Sequence, residues 1–303
     1  MKRTRAAVAC VAIVLVGTAC RSGHGETTAR ADSIELARRE AHLAAAMARP
    51  DSGATRGAAV ARWVLGADLA EISGLALTPD GRLFTHGDEQ GRVFELDYRR
   101  GVVVKRFTLG APPVKADFEA IAVAGDAMYL LTSKGKLYQF QEGANGESVE
   151  YSLHDTRLRH ECEFEGVAFD STINSLLLAC KNVLTKGALR DSLVVYRWRL
   201  GTGSGPRASR LTVPLAQVIG TNRWPGLHPS DITVDPVSGN YVLVAAEERA
   251  LIEITPSGQM VFARPLPSGL AHAEGVAVTR DSLLIVSTEA GRHSAAITLY
   301  RRP

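Results

Sequence analysis

The sequence is poor in several things at once. Among 303 residues there are four cysteines, four methionines and three tryptophans, and aromatic residues make up 6%. No Gly-x-Ser-x-Gly elbow and no phosphate-cradling Gly-rich loop is present, so nucleophilic acyl transfer and nucleotide chemistry have no local support. The only strongly apolar run, Ala6 to Val16, is shorter than the roughly 20 residues that span a bilayer. It follows Lys2, Arg3 and Arg5 and ends in small residues before Cys20, the pattern of a secretory signal with a lipoprotein-type cleavage site. The expectation is a signal peptide at 1–19 and a lipid on Cys20, although Gly17 stands where a bulky aliphatic residue is usual. An exported protein on the periplasmic side of a bacterial membrane, with the outer membrane favoured, follows from lipidation; ordinary cleavage would give a secreted one.

Charge is scarce in another sense. The formal net charge is +3. The three basic residues of the signal leave with it and no acid does, so the mature chain is formally neutral. Nucleic acid needs a basic surplus to hold it and is excluded as an expected partner. Beyond Cys10 and Cys20 only Cys162 and Cys180 remain, and in an oxidising compartment two cysteines suggest a disulfide before a metal site.

What the chain has in quantity is repetition. From Thr27 to Met47 it reads as a helix with a weak apolar set (Ile34, Leu36, Ala37, Leu43, Met47), ended by Pro50, Gly53 and Gly57. This makes residues 20–58 a lipid-anchored spacer. From residue 59 to 303 five segments align: Glu71-Ile-Ser-Gly-Leu-Ala-Leu77, Asp117-Phe-Glu-Ala-Ile-Ala-Val123, Glu163-Phe-Glu-Gly-Val-Ala-Phe169, His228-Pro-Ser-Asp-Ile-Thr-Val234 and His272-Ala-Glu-Gly-Val-Ala-Val278. Their fourth residues, Gly74, Ala120, Gly166, Asp231 and Gly275, lie 46, 46, 65 and 44 apart. A period in the forties with short alternating strands is the period of a propeller blade.

Each segment leads into a turn and two further strands, but only four outer strands follow: Val103 to Leu109, Val149 to Leu153, Arg210 to Leu215 and Met260 to Leu266. The fifth is found at Arg62 to Leu65, before the first repeat. The fold class is therefore all-β, a five-bladed β-propeller closed by an N-terminal outer strand. The connections Val183 to Ser192 and Ala216 to Leu227 are read as loops, with a sixth blade as the alternative.

Blade topology puts the start of each repeat and the loop between strands two and three on one face. Glu119, Glu165 and Glu274 hold equivalent places and should point toward one axis. Crowded carboxylates need a cation, lysines or shared protons to compensate. An oxygen-rich set suits Ca²⁺ or Mg²⁺ better than Zn²⁺, with Asp117, Glu163 and Asp231 as further candidate ligands. The competing reading is that Lys134 and Lys181 neutralise Glu119 and Glu165. His86, His228, His272 and His293 are expected to be solvated or hydrogen-bonded and not to gather on a metal. Cys162 and Cys180 fall nearly opposite each other in a hairpin about Ser171 and Thr172, a geometry that permits a disulfide.

At Ser73-Gly-Leu-Ala, Phe118-Glu-Ala-Ile-Ala, Phe164-Glu-Gly-Val-Ala-Phe-Asp170 with Leu176-Leu-Leu-Ala-Cys-Lys181, Ser230-Asp-Ile-Thr-Val-Asp235 and Glu274-Gly-Val-Ala-Val278, the sequence resembles the SdiA-regulated family of exported bacterial propellers, relatives of NHL-repeat proteins. The resemblance implies an envelope propeller with no assigned reaction and a capacity for calcium. The functional expectation is a non-enzymatic binding or scaffold module taking a protein or small-molecule ligand on its acidic face. The alternative is a divalent-metal-dependent hydrolase of a lactone or phosphate ester.

Overall fold

The structure, a computed structural model, describes residues 23–49, 57–201 and 207–302. The expected signal peptide and Cys20 lie outside them. Strand β1 (Ala59–Val64) precedes blade 1, formed by β2 (Ile72–Leu77), β3 (Leu83–Gly87), β4 (Arg92–Asp97) and β5 (Val102–Leu109). Blade 2 holds β6 (Phe118–Ala124), β7 (Ala127–Thr132) and β8 (Lys136–Gln141). The next strand, β9 (Ser148–Val149), pairs in parallel with β5 of blade 1, and β10 (Tyr151–Asp155) closes blade 2. The outer strand expected from Val149 to Leu153 is thus divided between two blades. Blade 3 runs through β11 (Cys162–Asp170), β12 (Ser175–Val183), β13 (Ser192–Arg199) and β14 (Ala208–Pro214). Blade 4 has β15 (Asp231–Val234), β16 (Tyr241–Ala245), β17 (Ala250–Ile254) and β18 (Met260–Pro265). Blade 5 joins β19 (Ala273–Val278), β20 (Leu283–Thr288) and β21 (Ala296–Arg301) to β1.

The N-terminal strand therefore closes the ring, with Ala59 opposite Tyr300 and Val64 opposite Ala296. Closure removes two open sheet edges at one step. The long connections carry only a 3₁₀ turn at Ala188–Asp191 and a one-turn helix, Leu215–Ile219, so the count is five blades.

The small fourth residues of the repeats have a steric cause. The five inner strands, β2, β6, β11, β15 and β19, meet at one axis and press backbone on backbone. A Cβ on Gly74 would lie 2.9 Å from the Ala120 Cα, and one on Gly166 would lie 2.9 Å from the Asp231 Cα. Asp231 is the exception and fills the space the others leave. It is fully buried, and its Oδ2 accepts N–H bonds from Val276 of blade 5 (2.9 Å) and Leu75 of blade 1 (3.3 Å). One carboxylate thus ties three blades across the axis. Between neighbouring blades Ser73 Oγ donates to the Glu119 carbonyl (2.8 Å), Ser230 Oγ to that of Ala273 (2.6 Å) and Ser287 Oγ to that of Ser73 (3.0 Å).

Helix α1 spans Gly23–Ala48. It is docked on the propeller. Leu43 is 1% exposed and packs in one cluster with Leu65, Leu69 and Tyr98. Glu40 pairs with Arg100 at 2.7 Å, and Arg301 donates to the carbonyls of Ala46 (2.6 Å) and Met47 (3.0 Å). A guanidinium on the last carbonyls of a helix satisfies orphan acceptors and suits the negative end of its dipole. Removing the Leu43 side chain should leave a cavity and cost about 2 to 4 kcal/mol. Urea unfolding of Leu43→Ala measures this, and a cost near zero would mean that α1 contributes nothing to the folded domain.

Candidate functional site

In four of the five repeats the third residue is where the inner strand breaks its pairing. In blade 2, Phe118 faces Thr132 and Ala120 faces Leu131, leaving Glu119 without a partner. In blade 3, Phe164 faces Cys180 and Gly166 faces Ala179, so Glu165 is the extra residue. In blade 5 the same happens to Glu274, between Ala273 and Gly275. These are β-bulges, which kink a strand and re-aim a side chain. Blade 1 has the same irregularity at Ser73 and Gly74, and in blade 4 Ser230 precedes the strand. The bulges bring Glu119, Glu165 and Glu274 to one mouth of the axial channel, with Ser73 and Ser230 completing the ring.

Lys181, at the far end of β12, reaches into the same space. Its Nζ lies 2.8 Å from Glu165 Oε1, and it also interacts with Glu274 and Glu119. Lys134 is exposed and forms no ion pair with Glu119. One ammonium therefore serves three carboxylates. Burial first, then the charges of Glu165 and Asp117, push the Glu119 carboxyl up to about 9. Burial, then Glu289 and Glu165, raise Glu274 to about 7. Burial raises Glu165 as well, against the opposing pull of the Lys181 ammonium that it accepts from, so this crowded pair holds protons above the ordinary carboxylate range.

The first residues of the repeats form an outer rim, each engaged by the loop between strands two and three. Glu71 is raised mainly by Asp88 beside it. Asp117 accepts from Ser133 Oγ, and Glu163 accepts from Asn182 Nδ2 at 2.7 Å. His228 binds Glu248 twice, through Nδ1 at 2.7 Å and its backbone N–H at 3.0 Å. His272 Nδ1 stands 3.6 Å from Glu289.

Of the residues singled out by sequence, Glu119, Glu165 and Glu274 meet at the mouth, while Asp117 and Glu163 lie on the rim. Asp231 lies inside the channel as the cross-axis tie. The all-oxygen ring expected for Ca²⁺, which takes six to eight oxygen ligands, has an ammonium among its members. Among the histidines, His86 is fully buried and pushed down to about 4 by that burial, and His293 is exposed. His228 and His272, however, hold the same place in their repeats and stand beside carboxylates. The donor atoms of His228, Glu247 and Glu248, and those of His272, Glu274 and Glu289, lie within 4.8 Å of one another in each group. Sequence reasoning passed over these groups because it compared the four histidines as one set; the shared first position of two of them was the available signal.

Cys162 and Cys180 form a disulfide, with Cα atoms 5.6 Å apart. It staples β11 to β12 beside Glu163, Glu165 and Lys181, and in a chain-entropy picture closing this loop contributes about 3 kcal/mol.

A cavity of about 730 Å³ lies at the opposite mouth among the turns. Its buried carboxylates are already engaged. Asp170 accepts from Thr172 and from Tyr241 Oη (2.6 Å), and Asp235 accepts from Val237 and Ser238 and pairs with Arg302. Those groups hold turns and neighbouring blades together, whereas the upper mouth keeps uncompensated charge. The upper mouth is therefore the candidate site.

No protein-family model and no curated sequence matches this chain. Among solved structures it is similar to Myxococcus xanthus glutaminyl cyclase, with a TM-score of 0.53 and 14% identity over 80% of this chain and 94% of that one. The Streptomyces coelicolor aldose sugar dehydrogenase in its PQQ-bound form (TM-score 0.48, 12% identity, 79% and 97% covered) and a luciferin-regenerating enzyme (TM-score 0.49, 9% identity, 79% and 94% covered) are also similar. The likeness to the glutaminyl cyclase, at 14% identity, speaks to the fold, a β-propeller, and not to an activity.

The raised carboxyl of Glu119 carries a sign for stability. It keeps its proton in the folded protein up to about 9, whereas the unfolded side chain loses it near 4.5. The stabilising contribution is full below the lower value and is lost as pH rises toward the upper one. Urea unfolding should show stability falling from pH 5 to pH 9. Glu119→Gln should flatten that slope and exceed the parent protein at pH 8 to 9 by about 1 to 2 kcal/mol; an unchanged slope would contradict the assignment.

Proposed function

We propose that this protein is an exported, lipid-anchored binding module of the SdiA-regulated type, and that its upper channel mouth takes the positively charged part of a ligand. The supporting observation is the imbalance at the ring: three glutamates presented by bulges share the single ammonium of Lys181. A carboxylate deprived of solvent and of counter-charge keeps its proton, as Glu119 does. A ligand cation entering this space would take the proton's place and meet carboxylates that the protein itself leaves short of counter-charge. The surrounding rim, with Glu71, Asp88, Asp117, Glu163 and Glu289, adds a field of the same sign that draws cations toward the mouth. The signal pattern and Cys20 supply the envelope location in this reading.

Titration calorimetry of the mature domain with Ca²⁺ and with 1,4-diaminobutane tests it. At least one probe should bind saturably, more tightly as pH rises through about 7, where Glu274 ionises. Glu119→Gln and Glu274→Gln should each weaken that binding by about tenfold, equivalent to about 1.4 kcal/mol. Absence of saturable binding by both probes would overturn the reading. Metal-dependent turnover of lactones or phosphate esters that disappears in Glu165→Gln would replace it with a hydrolase.

A further inference from the structure

We propose that the blade 5 side of the mouth is a distinct metal site, in which His272, Glu274 and Glu289 hold one divalent first-row transition-metal ion. Glu274 is the bulged residue of β19, and His272 before that strand and Glu289 after β20 are brought to the same face by the blade topology. Each offers one donor atom, and these atoms lie within 4.8 Å of one another. One imidazole nitrogen with two carboxylates is a mixed donor set, which suits Mn²⁺, Fe²⁺ or Zn²⁺ better than Ca²⁺.

Blade 4 supplies an internal comparison. His228 occupies the same repeat position as His272, but its ring and its backbone N–H are both bound to Glu248, a side chain 2% exposed. That arrangement is closed and satisfied by itself. In blade 5 the imidazole stands 3.6 Å from Glu289, too far for a hydrogen bond. The side chains are gathered without being spent on one another.

A second observation comes from beneath the cluster. Asp231 is fully buried, and its Oδ1 has no hydrogen-bond partner. Its other oxygen is held by the N–H of Val276, two residues after Glu274, and the carboxyl interacts electrostatically with Glu274. A buried oxygen left unsatisfied costs free energy unless something positive or hydrogen-bond-donating faces it. A cation held at Glu274, to which this carboxyl couples electrostatically, would supply positive charge toward it.

The site shares Glu274 with the ring of the proposed function but does not depend on it. Lys181 bonds directly to Glu165 and reaches Glu274 only through longer-range charge, whereas His272 and Glu289 lie outside the ring, so substitutions at those two residues separate the metal position from it.

The test is Mn²⁺ binding to the mature domain, followed by electron paramagnetic resonance of free Mn²⁺, with Zn²⁺ as competitor. The expected result is one saturable site that Zn²⁺ displaces. Its affinity should fall at least about tenfold in His272→Ala and in Glu289→Gln, and stay unchanged in His228→Ala. Circular dichroism and urea unfolding establish that each variant folds, and Mn²⁺ broadening of the His272 ring resonances gives a readout independent of affinity. Binding that survives His272→Ala but is lost in Glu119→Gln would put the ion in the glutamate ring and overturn this inference while leaving the mouth reading intact. No saturable Mn²⁺ or Zn²⁺ binding would overturn it as well. Binding that depends on His272, in a protein that takes neither Ca²⁺ nor 1,4-diaminobutane, would support the metal site and remove the ligand reading alone.

Discussion

Five inner strands have to meet at one axis, and at the level of the fourth repeat position there is no room for five side chains. Four positions resolve this with glycine or alanine. The fifth supplies Asp231, whose carboxylate crosses the axis and takes backbone N–H groups from blades 1 and 5. Burying a carboxyl is costly, and burial raises Asp231 well above the usual carboxylate range. In return the carboxyl satisfies donors that ring closure would otherwise leave without acceptors.

That close approach also shapes the site. Four of the inner strands break their regular pairing beside this contact, and in blades 2, 3 and 5 the bulged residue is the glutamate that turns into the mouth. Geometry that closes the disc and geometry that presents the acids are one feature of the backbone, so substitutions at the small residues should disturb both together.

Much of this was legible in the sequence. The period of the repeat, the missing fifth outer strand and its recovery before the first repeat all follow from counting strands, and the structure has that architecture. The equivalence of Glu119, Glu165 and Glu274 was also visible, because third positions in a repeat align whatever the backbone does there. The bulges were not, since periodicity describes which residues alternate and not where the partner strand skips one. The division of Val149 from Tyr151 between two blades depends on a parallel contact with β5 that no local pattern announces. Helix α1 has so weak an apolar stripe that, among the described residues, only Leu43 and Met47 of it join the apolar core, too little to distinguish docking from separation by pattern. The blade 5 cluster was missed for a different reason: Glu274 stood out, but His272 was compared with the other histidines as one set, and only topology brings Glu289 beside it.

The account rests on carboxylates that share too little positive charge at one end of the channel. Site-resolved ¹³C NMR of the glutamate carboxyl groups, recorded from pH 3 to pH 10, reads this directly. Glu119 is expected to hold its proton to about 9 and Glu274 to about 7. Titration of both near the ordinary 4.5 would show that the mouth is solvated and balanced, and the central claim would fall.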